Sequence, residues 1–243
     1  MNCRLMLMLG CVWTMGCLVQ AKDKTIRVFV ALCDNATQGI IPVPPKIGNG
    51  DDLDNNLYWG CDEGLRSVFR KSSDWKRVKQ QKPASGPVLE RLEFTHTSGT
   101  LLVAEAYRGS QMKQCLLDCE TAIRTGEHDL VAFIGHNGLM DQRLEVVPAS
   151  PVRRSDVIVL CCKSAEYFQD RIKAQGGRPV LLTTQLMYPG SFLLRDALAS
   201  WMKGGSPGSM RDAAARAYAK NQGISVKAAA GVFADLEHET PTR

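Results

Sequence analysis

Two short apolar runs in this 243-residue chain each end on a residue type that can do chemistry. Residues 129–135 run straight into His136-Asn137-Gly138, and Asp156–Leu160 runs into Cys161-Cys162-Lys163-Ser164. A thiol becomes a strong nucleophile when a nearby imidazole takes its proton or stabilises the thiolate. A histidine at one strand end and a cysteine at another can therefore form a dyad although His136 and Cys162 are 26 positions apart. Free cysteine is also among the residue types that most often simply pack in a core, and that is the competing reading of the same thiols. A third reading is a metal site from His136, Cys33, Cys161 and Cys162, which offer nitrogen and sulfur ligands. It has no CxxC pair behind it, and vicinal thiols chelate one ion poorly.

The elements that must position these groups are legible as a rhythm. Both runs are rich in Val, Ile, Leu and Phe with polar punctuation after them, the pattern of parallel strands buried on both faces. In an open parallel sheet, ligands and chemistry collect beyond the carboxyl ends of the strands. Residues 25–32 and 179–184 read as further buried strands, and 88–95 with 100–107 as two strands joined by a Gly-containing turn that carries His96. Helical periodicity predicts helices over 55–70, 110–125 (capped by Ser110, stopped at Gly126), 165–174 and Ser191–Met202. Strands alternating with helices in this way specify a mostly parallel sheet covered on both faces. Successive strand residues face opposite sides, so Cys161 and Cys162 are expected to point apart.

Other segments bound the function. Gly39–Pro45 and Gly48–Asp52 are too rich in Pro and Gly for regular structure. Their Ile and Val predict a loop lying over the strand ends as a lid or pocket wall. Residues 70–82 carry six Lys or Arg against one Asp. With Trp75 as the single aromatic they read as a solvated loop and not as a stacking platform for nucleic acid. No GxGxxG or GxxxxGK[ST] element occurs, so no nucleotide fingerprint is present and no cofactor is expected. The tail, 209–221, Gly223 and 225–236, reads as helix–turn–helix, two Ala-rich helices packed on the domain, with DNA binding as the lesser alternative. The formal net charge of +5 is mildly basic and implies no nucleic-acid partner.

Residues 1–21 read as a secretory leader: Arg4 in the n-region, an apolar core over 5–19, and Val19-Gln20-Ala21 before Lys22. Cys11 and Cys17 each follow a Gly, which makes a lipoprotein signal the alternative, although neither has the usual Leu three positions before it. No segment reaches the ~20 apolar residues that a membrane span needs. Loss of the leader leaves six cysteines: Cys33, Cys61, Cys115, Cys119, Cys161 and Cys162. Cys115 and Cys119 share a helix face, and their spacing alone supports neither a bond nor a metal site.

The order strand, helix, strand, helix, strand-His, strand-Cys, with the segments Phe133-Ile134-Gly135-His136 and Val159-Leu160-Cys161-Cys162-Lys163-Ser164-Ala165, resembles the caspase-like cysteine peptidases. That group includes caspases, clostripain-type and gingipain-type enzymes, legumains and CHAT peptidases. The resemblance spans about residues 25–202. It implies an α/β three-layer sandwich over 22–205 with a C-terminal helical extension over 206–243. It also implies Cys162 as nucleophile, with Cys161 in the preceding small-residue position and as the alternative nucleophile, and His136 as general acid/base close enough to meet it. A peptide or protein would be the substrate. In the family a Gly directly after the His donates its N–H to the oxyanion; here Asn137 stands between His136 and Gly138. These two residues are the expected oxyanion or loop support. An acidic residue after the first strand accepts a basic substrate side chain in several members, a role that falls on Asp34 here, whose alternative is to turn the chain. The Asn137 departure also suits a catalytically inactive domain that uses the same cleft for binding.

The leader reading places the new N-terminus of the exported protein at Lys22. Mass analysis of the exported chain checks this: an intact Met1 or a lipid-modified Cys17 would refute it.

Overall fold

A computed structural model describes residues 23–237; the expected leader and its cleavage point lie outside the described residues. Seven strands form one sheet: β1 (Thr25–Ala31), β2 (Trp75–Gln81), β3 (Val88–His96), β4 (Leu101–Tyr107), β5 (Leu130–Ile134), β6 (Asp156–Leu160) and β7 (Arg178–Leu181). Their order across the sheet is β2-β3-β4-β1-β5-β6-β7. From β4 to β7 every neighbouring pair is parallel, and β2 and β3 add an antiparallel edge. The strands expected at 25–32, 129–135, 156–160 and 179–184 all lie in this one sheet and run parallel.

Alternation along the central strands builds two cores. Val28, Val30, Ala132, Ile134, Ile158 and Leu160 face one side, where α1 (Leu65–Lys71), α4 (Ser191–Met202) and α5 (Pro207–Gln222) cover them. Phe29, Ala31, Val131, Phe133, Val157, Val159 and Cys161 face the other, under α2 (Met112–Thr125) and α3 (Ser164–Ala174). All five residues of β5 are buried, which is why this strand reads as a continuous apolar run and not as alternation. The architecture is thus helices, mostly parallel sheet, helices. Met210, Ala214, Ala215, Tyr218 and Ala219 of α5 belong to the first core, so the C-terminal helix shares the domain's interior.

Three stretches differ from the sequence expectation. Residues 70–82 were expected as a loop, yet Trp75–Gln81 is strand β2. Six of its seven residues are exposed, so no face imposes an apolar period; the antiparallel ladder with β3 and the packing of Trp75 on Phe69 hold it. In place of a helix over 55–70, turns occupy 53–64 and only Leu65–Lys71 is helical. Gly60 and Gly64 pack directly on the backbone of Leu53, Asp54 and Trp59, a close approach that turns achieve and a continuous helix would not. After Gly223 (φ +65), helix α6 covers only Val226–Ala230. The chain then bridges Phe233 to Thr183, so a short extended segment replaces the rest of the expected helix. Neither Ser110 nor Ser191 caps its helix: α2 follows a 3-10 turn at Gly109–Gln111, and Gly190 precedes α4.

Phe133 is fully buried in the centre of β5 and stacks on Phe168 of α3. Phe133→Ala is expected to cost about 3–5 kcal/mol in urea unfolding, the range for a large-to-small change in a tight core. Lys76→Ala on the exposed edge strand is expected to stay within about 0.5 kcal/mol.

Candidate active site

The parallel register sets the site's geometry. Ile134 on β5 lies beside Leu160 on β6, and Gly135 extends the ladder by donating its N–H to the Leu160 carbonyl at 3.2 Å. His136 and Cys162 are therefore the second residues past a matched pair of strand ends, and the sheet delivers both to the same level of its carboxyl edge. Gly135 has φ +144, a region open to little but glycine, and a side chain there would press on the Tyr58 ring. This residue breaks the pleat and turns the chain into the His136 loop.

The pleat continues undisturbed through β6. Cys161 sits at 0% exposure in the core under α2 and α3, while Cys162 is half-buried and reaches Met187 of the other core. The two vicinal thiols face apart, as alternation requires. Burial first, then the neighbouring Cys162, holds the Cys161 thiol well above its ordinary range. Cys161 is sealed in the core on the side of the sheet away from the Met187 backbone that Cys162 reaches. Burial likewise raises Cys115, Cys119 and Cys61, and pushes Cys33 up to about 11 even though its hydrogen bond with Tyr58 works the other way. All six described cysteines are free thiols. Among the described residues no three His, Cys, Asp or Glu side chains gather for a metal ion, so the metal reading from His136, Cys33, Cys161 and Cys162 finds no support.

The loop after β6 is tied down from several sides. The Thr183 hydroxyl donates to the Cys161 carbonyl, and Lys163 N–H donates to the Gln185 carbonyl at 2.9 Å. Ser164 Oγ donates to the Val159 carbonyl at 2.7 Å. The first free amides of α3 are spent in the same way, Ser164 N–H on Thr183 Oγ1 and Ala165 N–H on the Thr183 carbonyl. Lys163, directly after Cys162, has φ +50; among the described residues it is the sole non-glycine with positive φ. Such a conformation costs of order 1–3 kcal/mol and persists where the surroundings over-determine it, often at functional sites.

Asn137 joins the two loops. Fully buried, it donates from Nδ2 to the carbonyl of Cys162 at 2.7 Å and accepts from Leu139 N–H at 3.1 Å. The residue after the histidine is thereby locked onto the cysteine itself. Gly138 was expected beside it as an oxyanion donor, but its N–H donates to the His136 carbonyl at 3.1 Å. Gly138 instead lets the loop press on Met112 and Leu116 of α2, where a Cβ would collide. The N–H groups of Asn137 and Cys162 have no acceptor among the described residues.

His136 and Cys162 hold other partners in this arrangement, and no hydrogen bond joins them among the described residues. The imidazole Nε2 pairs with Asp141 Oδ2 at 2.7 Å. The thiol faces the Met187 backbone, 3.6 Å from its carbonyl and 3.4 Å from its N–H. Asp141 was not singled out from the sequence, where one more Asp in a polar loop carries no signal; the spacing of five from His136 acquires meaning only once the loop turns back. Met187 and Thr183 were missed for a similar reason, since they act through backbone and hydroxyl groups.

Asp34 turns the chain. Its Oδ1 accepts from Ala36 N–H at 3.0 Å and its Oδ2 from the Thr37 hydroxyl at 2.6 Å, so each oxygen holds a group of its own loop. The loop that follows does lie over the strand ends: Ile40 and Val43 pack on the first core, and Gly39 N–H donates to Asp141 Oδ2 at 3.0 Å. Beneath it, buried Asn56 brackets the end of β1, accepting from Cys33 N–H and donating to the Cys33 carbonyl. No protein-family model, curated protein or solved structure matches this chain, so the site stands on its own geometry.

Proposed function

We propose that the chain is an exported caspase-like cysteine peptidase in which Cys162 is the nucleophile and His136 the general acid/base. The observation that carries this reading is the Asn137 side-chain bond to the Cys162 carbonyl, which couples the histidine loop to the cysteine loop at the carboxyl edge of a parallel sheet. The strained Lys163 beside Cys162 supports it, as does the burial that silences Cys161.

In the reaction, the Cys162 side chain rotates away from Met187 and gives its proton to His136. The sulfur attacks the scissile carbonyl carbon, and the electron pair of the C=O bond moves onto oxygen. The N–H of the half-buried Cys162 is the donor for that oxyanion; such a donor is worth several kcal/mol in a transition state. On collapse the C–N bond breaks, and the imidazolium protonates the leaving amine. Water, deprotonated by His136, then splits the thioester and returns the thiol. Ile41, Met140 and Leu186 are exposed on the loops that follow β1, β5 and β7, and an apolar peptide side chain is the substrate feature they suit.

A second reading, a non-catalytic domain that binds through the same cleft, is favoured by one observation: the thiol rests on the Met187 backbone and not on the imidazole. Thiol labelling separates the two. With iodoacetamide near neutral pH, a peptidase is expected to label fastest at Cys162, and His136→Ala is expected to slow that labelling by about 10²-fold or more. Cys162→Ala and His136→Ala should each abolish peptide cleavage, while Cys161→Ala should lower stability through lost packing. Labelling of Cys162 at an ordinary thiol rate, unchanged in His136→Ala, would leave the binding domain as the function.

A further inference from the structure

Resting on that reading of His136, we propose that Asp141 is the positioning residue of the site: it fixes the imidazole as the Nε2–H tautomer, leaves Nδ1 as the basic nitrogen, and clasps the Pro-rich loop to the histidine in the same contact. An imidazole between a carboxylate and a thiol can serve as base only from the nitrogen the carboxylate does not hold.

The geometry is built into the loop. Met140 N–H donates to the Asn137 carbonyl at 3.0 Å, and Gln142 N–H donates to the Gly138 carbonyl at 3.1 Å. This single tight turn carries Asp141, five residues on, back to the imidazole it follows. Asp141 Oδ2 then lies 2.7 Å from Nε2, a short distance typical of a charge-assisted bond. An ionised carboxylate only accepts, so the shared proton is placed on Nε2. His136 is 8% exposed, so a ring held at one nitrogen has little solvent to satisfy a flipped alternative.

The same oxygen accepts Gly39 N–H at 3.0 Å, more than a hundred residues away in sequence. A Cβ on residue 39 would come to 2.3 Å from Asp141 Oδ1, so glycine is the residue that admits this contact. The loop after β1 therefore closes against the carboxylate that orients the imidazole. Displacement of that loop removes one of the two donors holding Asp141 and loosens the ring it positions.

The test is nitrogen-15 NMR of the imidazoles in the full chain at about pH 8, where an ordinary histidine is neutral. The His136 signals are assigned by their loss in His136→Gln. The wild type is expected to show a protonated Nε2 and a bare Nδ1. Asp141→Asn and Asp141→Ala should mix the tautomers and slow iodoacetamide labelling of Cys162 by about tenfold or more, with the circular dichroism and thermal midpoint of a folded chain. Gly39→Ala, whose Cβ pushes the Asp141 carboxylate aside, should weaken the same Nε2–H signature with the Asp141 residue itself unchanged. A bare Nε2 in the wild type would overturn the proposal, and so would tautomer signals unmoved in both Asp141 variants. If the tautomer moves as expected but wild-type Cys162 labels at an ordinary rate, Asp141 stands as the positioning residue and the peptidase reading falls.

Discussion

The parallel pairing of β5 with β6 is the constraint on which the rest depends. Because Ile134 is level with Leu160, the chain leaves the two strands together, and the loops carrying His136 and Cys162 begin at one height on one edge. A slip of one residue would put Cys161 on the Met187 side and bury Cys162 under α2 and α3, since strand side chains alternate with period two. The burial of both strands forbids that slip: it would move Val157 into the partly exposed place of Asp156 and exchange every β6 side chain between two differently shaped cores.

The second consequence of burial is a division among the thiols. Cys33, Cys115, Cys119 and Cys161 are all buried free thiols, and the low polarity around them disfavours the charged form. Such groups pack as small apolar residues and are poor nucleophiles. Cys162 differs by position: it is past the strand end, half-exposed, and followed by a residue in the left-handed region. Thr183 is central to this, because its hydroxyl and its carbonyl take up the polar groups of the Cys161–Ala165 turn that would otherwise be left unpaired in the core.

Three loops from distant parts of the chain close over one edge of the sheet, and polar bonds hold them there. Asn137 ties the second loop to the third, and Asp141 ties it to the first. Asn56 fixes the base of the first loop to the end of β1. Each of these side chains satisfies buried or half-buried backbone groups that irregular chain leaves without ladder partners, a requirement as strict in loops as in strands. The arrangement makes the cleft a joint product of residues 33–56, 135–142 and 161–187, with the sheet supplying only its level.

The sequence by itself determined the strands and their burial, because continuous apolar runs of four to seven residues between polar breaks have few other solutions. It therefore also determined that His136 and Cys162 leave the sheet at its carboxyl edge and that Cys161 and Cys162 face apart. It did not determine β2, whose exposed residues carry no apolar period, nor the turns at 53–64, where backbone-to-backbone contact at Gly60 and Gly64 replaces a helix. Only the tertiary structure decided what each functional side chain touches. Gly135 interrupts the pleat, so the direction of His136 follows from loop packing and not from strand period. Asp34, expected to face a substrate, spends its oxygens on its own turn, and Gly138 spends its N–H on the His136 carbonyl. Asp141 and Met187, silent in the sequence, hold the imidazole and the thiol. Hydrogen-bond partners in loops are set by distances between segments far apart in the chain, and no local pattern of residue types encodes those distances.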